Sequence, residues 1–294
     1  MFVATLIAAG KLTDEVVREA IDRLDATGHD VGAPHWLDEH DAADIVFSGS
    51  LVSARAELAK MDHGALDVVV QPLGDRTKKL IIADMDSTMI TVECIDELAD
   101  YAGLKPQIAA ITERAMKGEL DFRAALAERV GLLAGMDAAV LDECRRERVR
   151  LTRGARTLVQ TMKAHGAHAV LVSGGFMPFA GPVGEAIGFD KMIANELEIA
   201  DGKLTGKVLD PVVDAGAKLE TLNAEAAAHG LPLADTLAVG DGANDIPMIT
   251  AAGLGIGYRP HPAAADAADA AIRHHDLTAL LWAQGYSRRN WVLG

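Results

Sequence analysis

Residues 79–88 read KLIIADMDST, and this stretch decides the fold. Leu80, Ile81, Ile82 and Ala83 make an unbroken apolar run of about one strand's length. An unbroken run, unlike an alternating one, predicts a strand covered on both faces, as in a parallel sheet flanked by helices. Asp84 and Asp86 follow at once. Residues two apart on an extended chain point the same way, so these carboxylates can share one site. Open α/β sheets bind ligands beyond the C-terminal ends of their strands, which is where both acids fall.

Working outward, three more segments carry polar chemistry. Ser173-Gly174-Gly175 follows a predicted strand at 169–172, and a hydroxyl with glycine amides there can cradle a phosphate. Lys218 opens a predicted helix over 218–229, where its ammonium can neutralise an anion. Gly240-Asp241-Gly242-Ala243-Asn244-Asp245 follows a predicted strand at 236–239 and offers the oxygen donors that hard cations prefer. Phosphoryl transfer needs a nucleophile, a proton donor for the leaving oxygen and neutralisation of charge. Two neighbouring carboxylates can divide the first two tasks. Each segment alone also reads as an ordinary loop; their order and spacing give the specific signal.

The remaining pattern alternates helices and strands, which predicts a doubly wound parallel sheet. Residues 92 to about 151 read as almost wholly helical, with breaks near Gly103, Gly118 and Gly135, an insertion over one end of that sheet. A hairpin is expected at 191–199 and 203–208. Before residue 75 the order is strand, helix, one or two weak strands, helix, strand, which matches a small α+β ferredoxin-like module. Thr13 is the expected N-cap of its first helix. The reading is therefore two units, 1–75 and 76–294.

Composition narrows the partners. The chain has 294 residues and a formal net charge of −15. Such acidity disfavours nucleic acid and anionic membrane surfaces. Two cysteines, Cys94 and Cys144, cannot form a disulfide framework and suit a reducing compartment. Cys94 reads as a buried thiol without an activating base. The short apolar start lacks a basic flank, and no apolar stretch reaches membrane-spanning length. The expected location is the cytoplasm. His274 and His275 read as surface residues.

The ordered set DxDST, SGG, an isolated lysine and GDGxND resembles the haloacid dehalogenase superfamily, and within it the phosphoserine phosphatases. The resemblance spans the C-terminal two-thirds and implies a Rossmann-like core with a helical cap at about 92–151. It implies that Asp84 attacks phosphorus, that Asp86 shuttles the proton, and that Lys218 stabilises charge. Mg2+ would be held by Asp84, by Asp86 through its backbone carbonyl, and by Asp241, with Asp245 orienting them. Ser173, Gly174 and Asn244 would bind the phosphoryl group. Glu93 and Arg129 stand where the family binds the ammonium and carboxylate of phosphoserine, and Met116 and Phe122 where it places an apolar lid. From the residues alone, Glu93 reads equally as a helix-terminal acid, and Arg129 as a partner of Glu128 or Asp121 on a solvated face. The N-terminal module resembles ACT-like regulatory domains, which leaves amino-acid sensing and homodimer formation as further expectations. A phosphatase for another small phosphomonoester would keep the aspartates but need not keep the Glu93 and Arg129 pair.

Overall fold

The structure, a computed structural model, describes residues 1–294 except Asp75, Lys117, Gly118 and the side chain of Met116. Two sheets organise the chain. The first contains β1 (Phe2–Ile7), β2 (Asp30–Val31), β3 (His35–Asp38), β4 (Ala42–Ser48) and β5 (Asp67–Pro72), with α1 (Asp14–Ala26) and α2 (Leu51–Leu58) between them. Its order is β2-β4-β1-β5, with β3 also on β4 and β1 antiparallel to both neighbours. This is the ferredoxin-like arrangement, with the second strand broken in two where Pro34 interrupts it. Thr13 caps α1 as expected, its hydroxyl accepting from the Val16 amide.

The second sheet is built from β6 (Leu80–Ala83), β7 (His168–Phe176), β8 (Lys191–Ala200), β9 (Lys203–Leu209), β10 (Thr236–Gly240), β11 (Leu254–Tyr258) and β12 (Ala270–Ile272). Its order is β12-β11-β10-β6-β7-β8-β9, parallel except for the β8–β9 hairpin. Between β6 and β7 come α3 (Cys94–Tyr101), α4 (Lys105–Met116), α5 (Phe122–Gly131) and α6 (Ala139–Arg148). The other helices are α7 (Ala155–Ala164), α8 (Met177–Ile187), α9 (Ala215–Ala228), α10 (Ile246–Ala251), α11 (Pro262–Ala267) and α12 (Ala279–Ala283).

The apolar run of β6 has the predicted environment. Ile81 and Ala83 belong to one buried cluster, with Ala169, Leu171, Leu237 and Val239 of the flanking strands. Leu80 and Ile82 belong to another on the opposite face, with Val170, Val172 and Ala238. Alternate residues thus fill alternate cores, and no polar position survives in the strand. One expectation changes: Ser173-Gly174-Gly175 lies inside β7 and not beyond it, because the strand continues to Phe176 after an irregularity in its pairing with β8. Two short elements near the C-terminus, α11 and β12, carry too little apolar pattern to be read from sequence.

The two sheets meet through α12 and the C-terminal turn. Ile7, Ala42 and Val69 of the first sheet join the core of the second. Polar contacts fix the register of this junction. Asp38 accepts from the Trp282 indole at 2.7 Å and the Arg288 amide at 2.8 Å, and Gln71 donates to the Ala283 carbonyl at 2.7 Å. Asp67, at the start of β5, accepts from the amides of Arg273 (2.9 Å), His274 (3.2 Å) and His275 (3.1 Å), and pairs with the His275 ring at 2.8 Å. His275 is therefore a largely buried junction residue, contrary to the surface reading, whereas His274 is exposed.

Burial pushes the Asp67 carboxyl up, but the His275 contact and the backbone amides outweigh it and leave the pKa lowered. A carboxylate whose pKa is lowered by folding contributes stability above its unfolded pKa and loses it as pH falls through the folded value. Asp67→Asn is therefore expected to cost about 1–3 kcal/mol at neutral pH. In urea unfolding, that deficit should shrink steadily below pH 4; a deficit that does not change with pH would contradict the assignment.

Candidate active site

Parallel pairing aligns the ends of three central strands. Ala83 of β6 stands opposite Leu171 of β7 and Val239 of β10. Asp84, Ser173 and Asp241 are thereby delivered to one rim, and α9 brings Lys218 to the same place. The helix is capped by Asp214, which accepts from the Ala217 amide at 3.0 Å.

Lys218 is fully buried. Its ammonium lies 2.8 Å from Asp84 Oδ1 and 2.6 Å from Asp245 Oδ1. Burial pushes its pKa down, but the charges of Asp84 and Asp245 outweigh that and raise it, so the lysine stays protonated. The other oxygen of Asp245 accepts from the amides of Asp241 (3.2 Å) and Gly242 (3.0 Å). Gly240 makes this fold-back possible: a β-carbon there would lie 2.4 Å from the Asp245 carboxyl carbon. The GDGxND spacing thus shapes a loop around its own last carboxylate.

After Asp84 the chain turns sharply. Ser87 sits at φ 54°, in the left-handed region, where a non-glycine residue stores strain. The turn brings Asp86 back against the site. Its Oδ2 accepts from the Cys94 amide at 3.2 Å, while Oδ1 is buried without a hydrogen-bond partner among the described residues. Burial and the nearby charge of Glu93 push Asp86 up to about 7. Gly175 permits this approach, since a β-carbon there would lie 3.2 Å from Asp86 Oδ2. Asp84 is also raised, by burial and by the Asp245 charge, with Lys218 opposing. Asp241 accepts from the Thr88 hydroxyl at 2.9 Å and is raised to about 6, chiefly by burial.

One ammonium therefore faces four carboxylates, those of Asp84, Asp86, Asp241 and Asp245. Oxygens of Asp84, Asp241 and Asp245 lie within 4.8 Å of one another. An all-oxygen, anionic donor set of this kind fits a divalent cation. Asp245 is the least available of the three, because one oxygen faces Lys218 and the other takes two amides. Asp84 and Asp241 are the free donors.

A cavity of about 450 Å³ opens from this cluster toward the helices between β6 and β7. Asp84, Asp86, Asp241, Ser173, Gly174 and Asn244 line its floor, and Glu93, Phe122 and Arg129 line its walls. All the sequence-expected residues whose side chains are described thus come together around one space, except Lys218 and Asp245, which lie beneath the floor. Met116 ends α4, and its side chain is outside the described residues. The alternative readings of Glu93 and Arg129 fare differently: Glu93 is indeed a helix-terminal acid, whereas Arg129 pairs with neither Glu128 nor Asp121. Glu93 occupies the cap position of α3 but makes no capping bond, and instead accepts from the Ser87 hydroxyl at 2.5 Å. Glu128 pairs with Arg114, and Asp121 caps α5 through the Ala124 amide. No ion pair to Arg129 is present among the described residues, and burial lowers its pKa against the pull of Asp96 and Glu93.

Two contributors escaped the sequence reading. Thr88 steers Asp241. Asn195, fully buried in β8, donates to the Gly174 carbonyl at 2.8 Å and accepts from the Val213 amide at 2.8 Å, locking the glycine segment to the chain that leads into α9. The DxDST run offered a signal for Thr88; a lone asparagine in a hairpin strand offers none.

The family model described as haloacid dehalogenase-like hydrolase matches residues 81–250. A phosphoserine phosphatase of Mycobacterium tuberculosis is 44% identical over 242 residues, 82% of this chain and 58% of that protein. A phosphoserine phosphatase of Saccharomyces cerevisiae is 35% identical, covering 97% of this chain and 96% of its own. The crystal structure of a probable phosphoserine phosphatase from Vibrio cholerae superposes with a TM-score of 0.77 at 32% identity, over 98% of this chain and 87% of that one. The matched span begins inside β6 and ends inside α10, so it contains Asp84, Asp86, Ser173, Lys218 and Asp241, and the chain belongs to the haloacid dehalogenase-like hydrolase family.

Proposed function

We propose that the protein is a magnesium-dependent phosphoserine phosphatase that works through an aspartyl phosphate on Asp84. The observation that carries this reading is the contrast between its two neighbouring carboxylates. Asp84 is clamped by an ammonium at 2.8 Å, whereas Asp86 is pushed up to about 7 with one bare oxygen. Burial raises both, so it is the ammonium on Asp84 and the bare oxygen on Asp86 that mark the first as nucleophile and the second as acid.

Asp84 attacks phosphorus in line as the bond to the serine oxygen breaks, and Asp86 gives that oxygen its proton. In the second half, water attacks the acyl phosphate, Asp86 takes the water's proton, and phosphate leaves with Asp84 restored. The Ser173 hydroxyl and the Gly174 amide hold the phosphoryl oxygens, with Asn244 beside them, while Lys218 beneath the floor holds Asp84 and supplies positive charge. Asp84, the Asp86 carbonyl and Asp241 would hold Mg2+, and Asp245 fixes the Asp241 loop. Bound there, the ion would supply positive charge that keeps Asp84 ionised and offsets charge on the transferring group.

Arg129 binds the substrate carboxylate, for which its fork is suited, and Glu93 binds the ammonium. Phe122 shields the reacting centre as part of a cap formed by α3–α6. The names of the M. tuberculosis and S. cerevisiae relatives support the substrate assignment. Residues 1–75 form, on this reading, an ACT-like unit for regulation or homodimer formation, joined to a phosphatase unit at 76–294. The free, buried cysteines fit a cytoplasmic setting.

Phosphate release from L-phosphoserine, phosphothreonine and a sugar phosphate tests the proposal directly. Phosphoserine should be strongly preferred, and EDTA should abolish turnover; metal-dependent turnover that ignores phosphoserine would refute the substrate assignment. Asp84→Asn should eliminate detectable turnover, and Asp86→Asn should lower kcat by roughly 10²–10⁴-fold. Arg129→Ala should reduce kcat/KM for phosphoserine by about 30-fold or more. It should leave poor substrates without a carboxylate almost unaffected, and equal losses on both would remove the carboxylate clamp.

A further inference from the structure

A second cluster of ligating side chains lies at the opposite end of the sheet. His168 is the first residue of β7 and pairs in register with Leu80, the first residue of β6, whereas Asp84 follows the far end of β6. The separation along the strand is about 13 Å. Glu225 lies on α9 and His229 just past its end, four residues apart and so on one face. Ligating atoms of His168, Glu225 and His229 lie within 4.8 Å of one another.

We propose that these three side chains bind a divalent transition-metal ion of the zinc type, at a site separate from the carboxylate cluster and independent of the phosphatase reading. Imidazole with carboxylate suits zinc, whereas oxygen-only donors suit magnesium. His168 Nε2 and Glu225 Oε2 already stand 3.4 Å apart. Two ligands at tetrahedral zinc are separated by about 3.3 Å. The imidazoles of His168 and His229 stack at 4.1 Å and 29°, so they present their edges side by side.

The surroundings orient each ligand. His229 Nδ1 lies 2.9 Å from the Glu225 carbonyl oxygen, so this nitrogen carries the proton and donates, leaving the Nε2 lone pair free. His168 Nδ1 faces Asp190 Oδ2 at 3.4 Å, which leaves its Nε2 toward Glu225. Asp190 is itself fixed by the Ala169 amide at 2.9 Å and by Lys163 at 2.6 Å. A carboxylate behind a metal-binding histidine is the usual outer support. Glu225 Oε1 meets Lys191 at 2.6 Å, and Oε2 remains for the metal. His229 is exposed, so water can complete the tetrahedron. The ion would staple the start of β7 to the last turn of α9, the helix whose first turn carries Lys218.

Isothermal titration of the full chain with Zn2+, in millimolar Mg2+ to occupy the carboxylate cluster, tests the site. One zinc should bind per chain and raise the thermal midpoint. His229→Ala should remove that binding while leaving the circular dichroism and Mg2+-dependent turnover unchanged. Asp190→Asn should weaken it by roughly 10–100-fold. Co2+ should give the visible absorption of a four-coordinate site in the parent chain but not in His229→Ala. Absence of zinc binding, or binding that His229→Ala leaves intact, would overturn the proposal. Both readouts are heat and absorbance, so they do not depend on which phosphomonoester is the substrate.

Discussion

The fully buried ammonium of Lys218, held between Asp84 and Asp245, is the contact on which the site depends. A lysine can stay charged without water only if anions replace its hydration, and losing one partner of such a buried pair costs about 3–5 kcal/mol. Three elements must therefore converge: β6 for Asp84, α9 for Lys218, and the loop after β10 for Asp245. The strand order that sets β6 beside β10 is what allows it. The geometry of the site and its local stability rest on the same three side chains.

That arrangement leaves an excess of negative charge, and the excess sorts the carboxylates. Asp245 is saturated by Lys218 and two amides. Asp84 has the ammonium on one oxygen, which also accepts the Met85 amide at 2.8 Å. Asp241 has a single hydroxyl, and Asp86 only an amide. Burial raises Asp84, Asp86 and Asp241, so what distinguishes them is the set of partners each one has. Asp86, raised to about 7 and in no ion pair with Lys218 among the described residues, is the carboxylate best suited to the proposed role of proton carrier.

Much of this was legible in the amino-acid order. The run 80–83 reads as a doubly covered strand, and its neighbours follow from the same rule. The DxDST and GDGxND segments encode their own turns, through Ser87 at positive φ and through Gly240, so their roles are local and visible. Residues that act across long separations were not. Asn195 joins Gly174 to Val213, and nothing in its own neighbourhood marks it. His275 was misread because its partner, Asp67, lies 208 positions away. His168 likewise meets Glu225 and His229 only through the fold. The glycine segment at 173–175 was placed beyond its strand because glycines usually end strands, whereas here they remain in the sheet to admit Asp86.

The division of labour between Asp84 and Asp86 is the central claim, and a trapped intermediate tests it most directly. Full-length protein with Mg2+ would be mixed with phosphoserine labelled in its phosphate, quenched in acid within one turnover, and digested for peptide mapping. The account predicts label bound covalently to the peptide that contains Asp84, at the Asp84 side chain, and released by mild base as expected for an acyl phosphate. Turnover without protein-bound label, or label on Asp86, would contradict it.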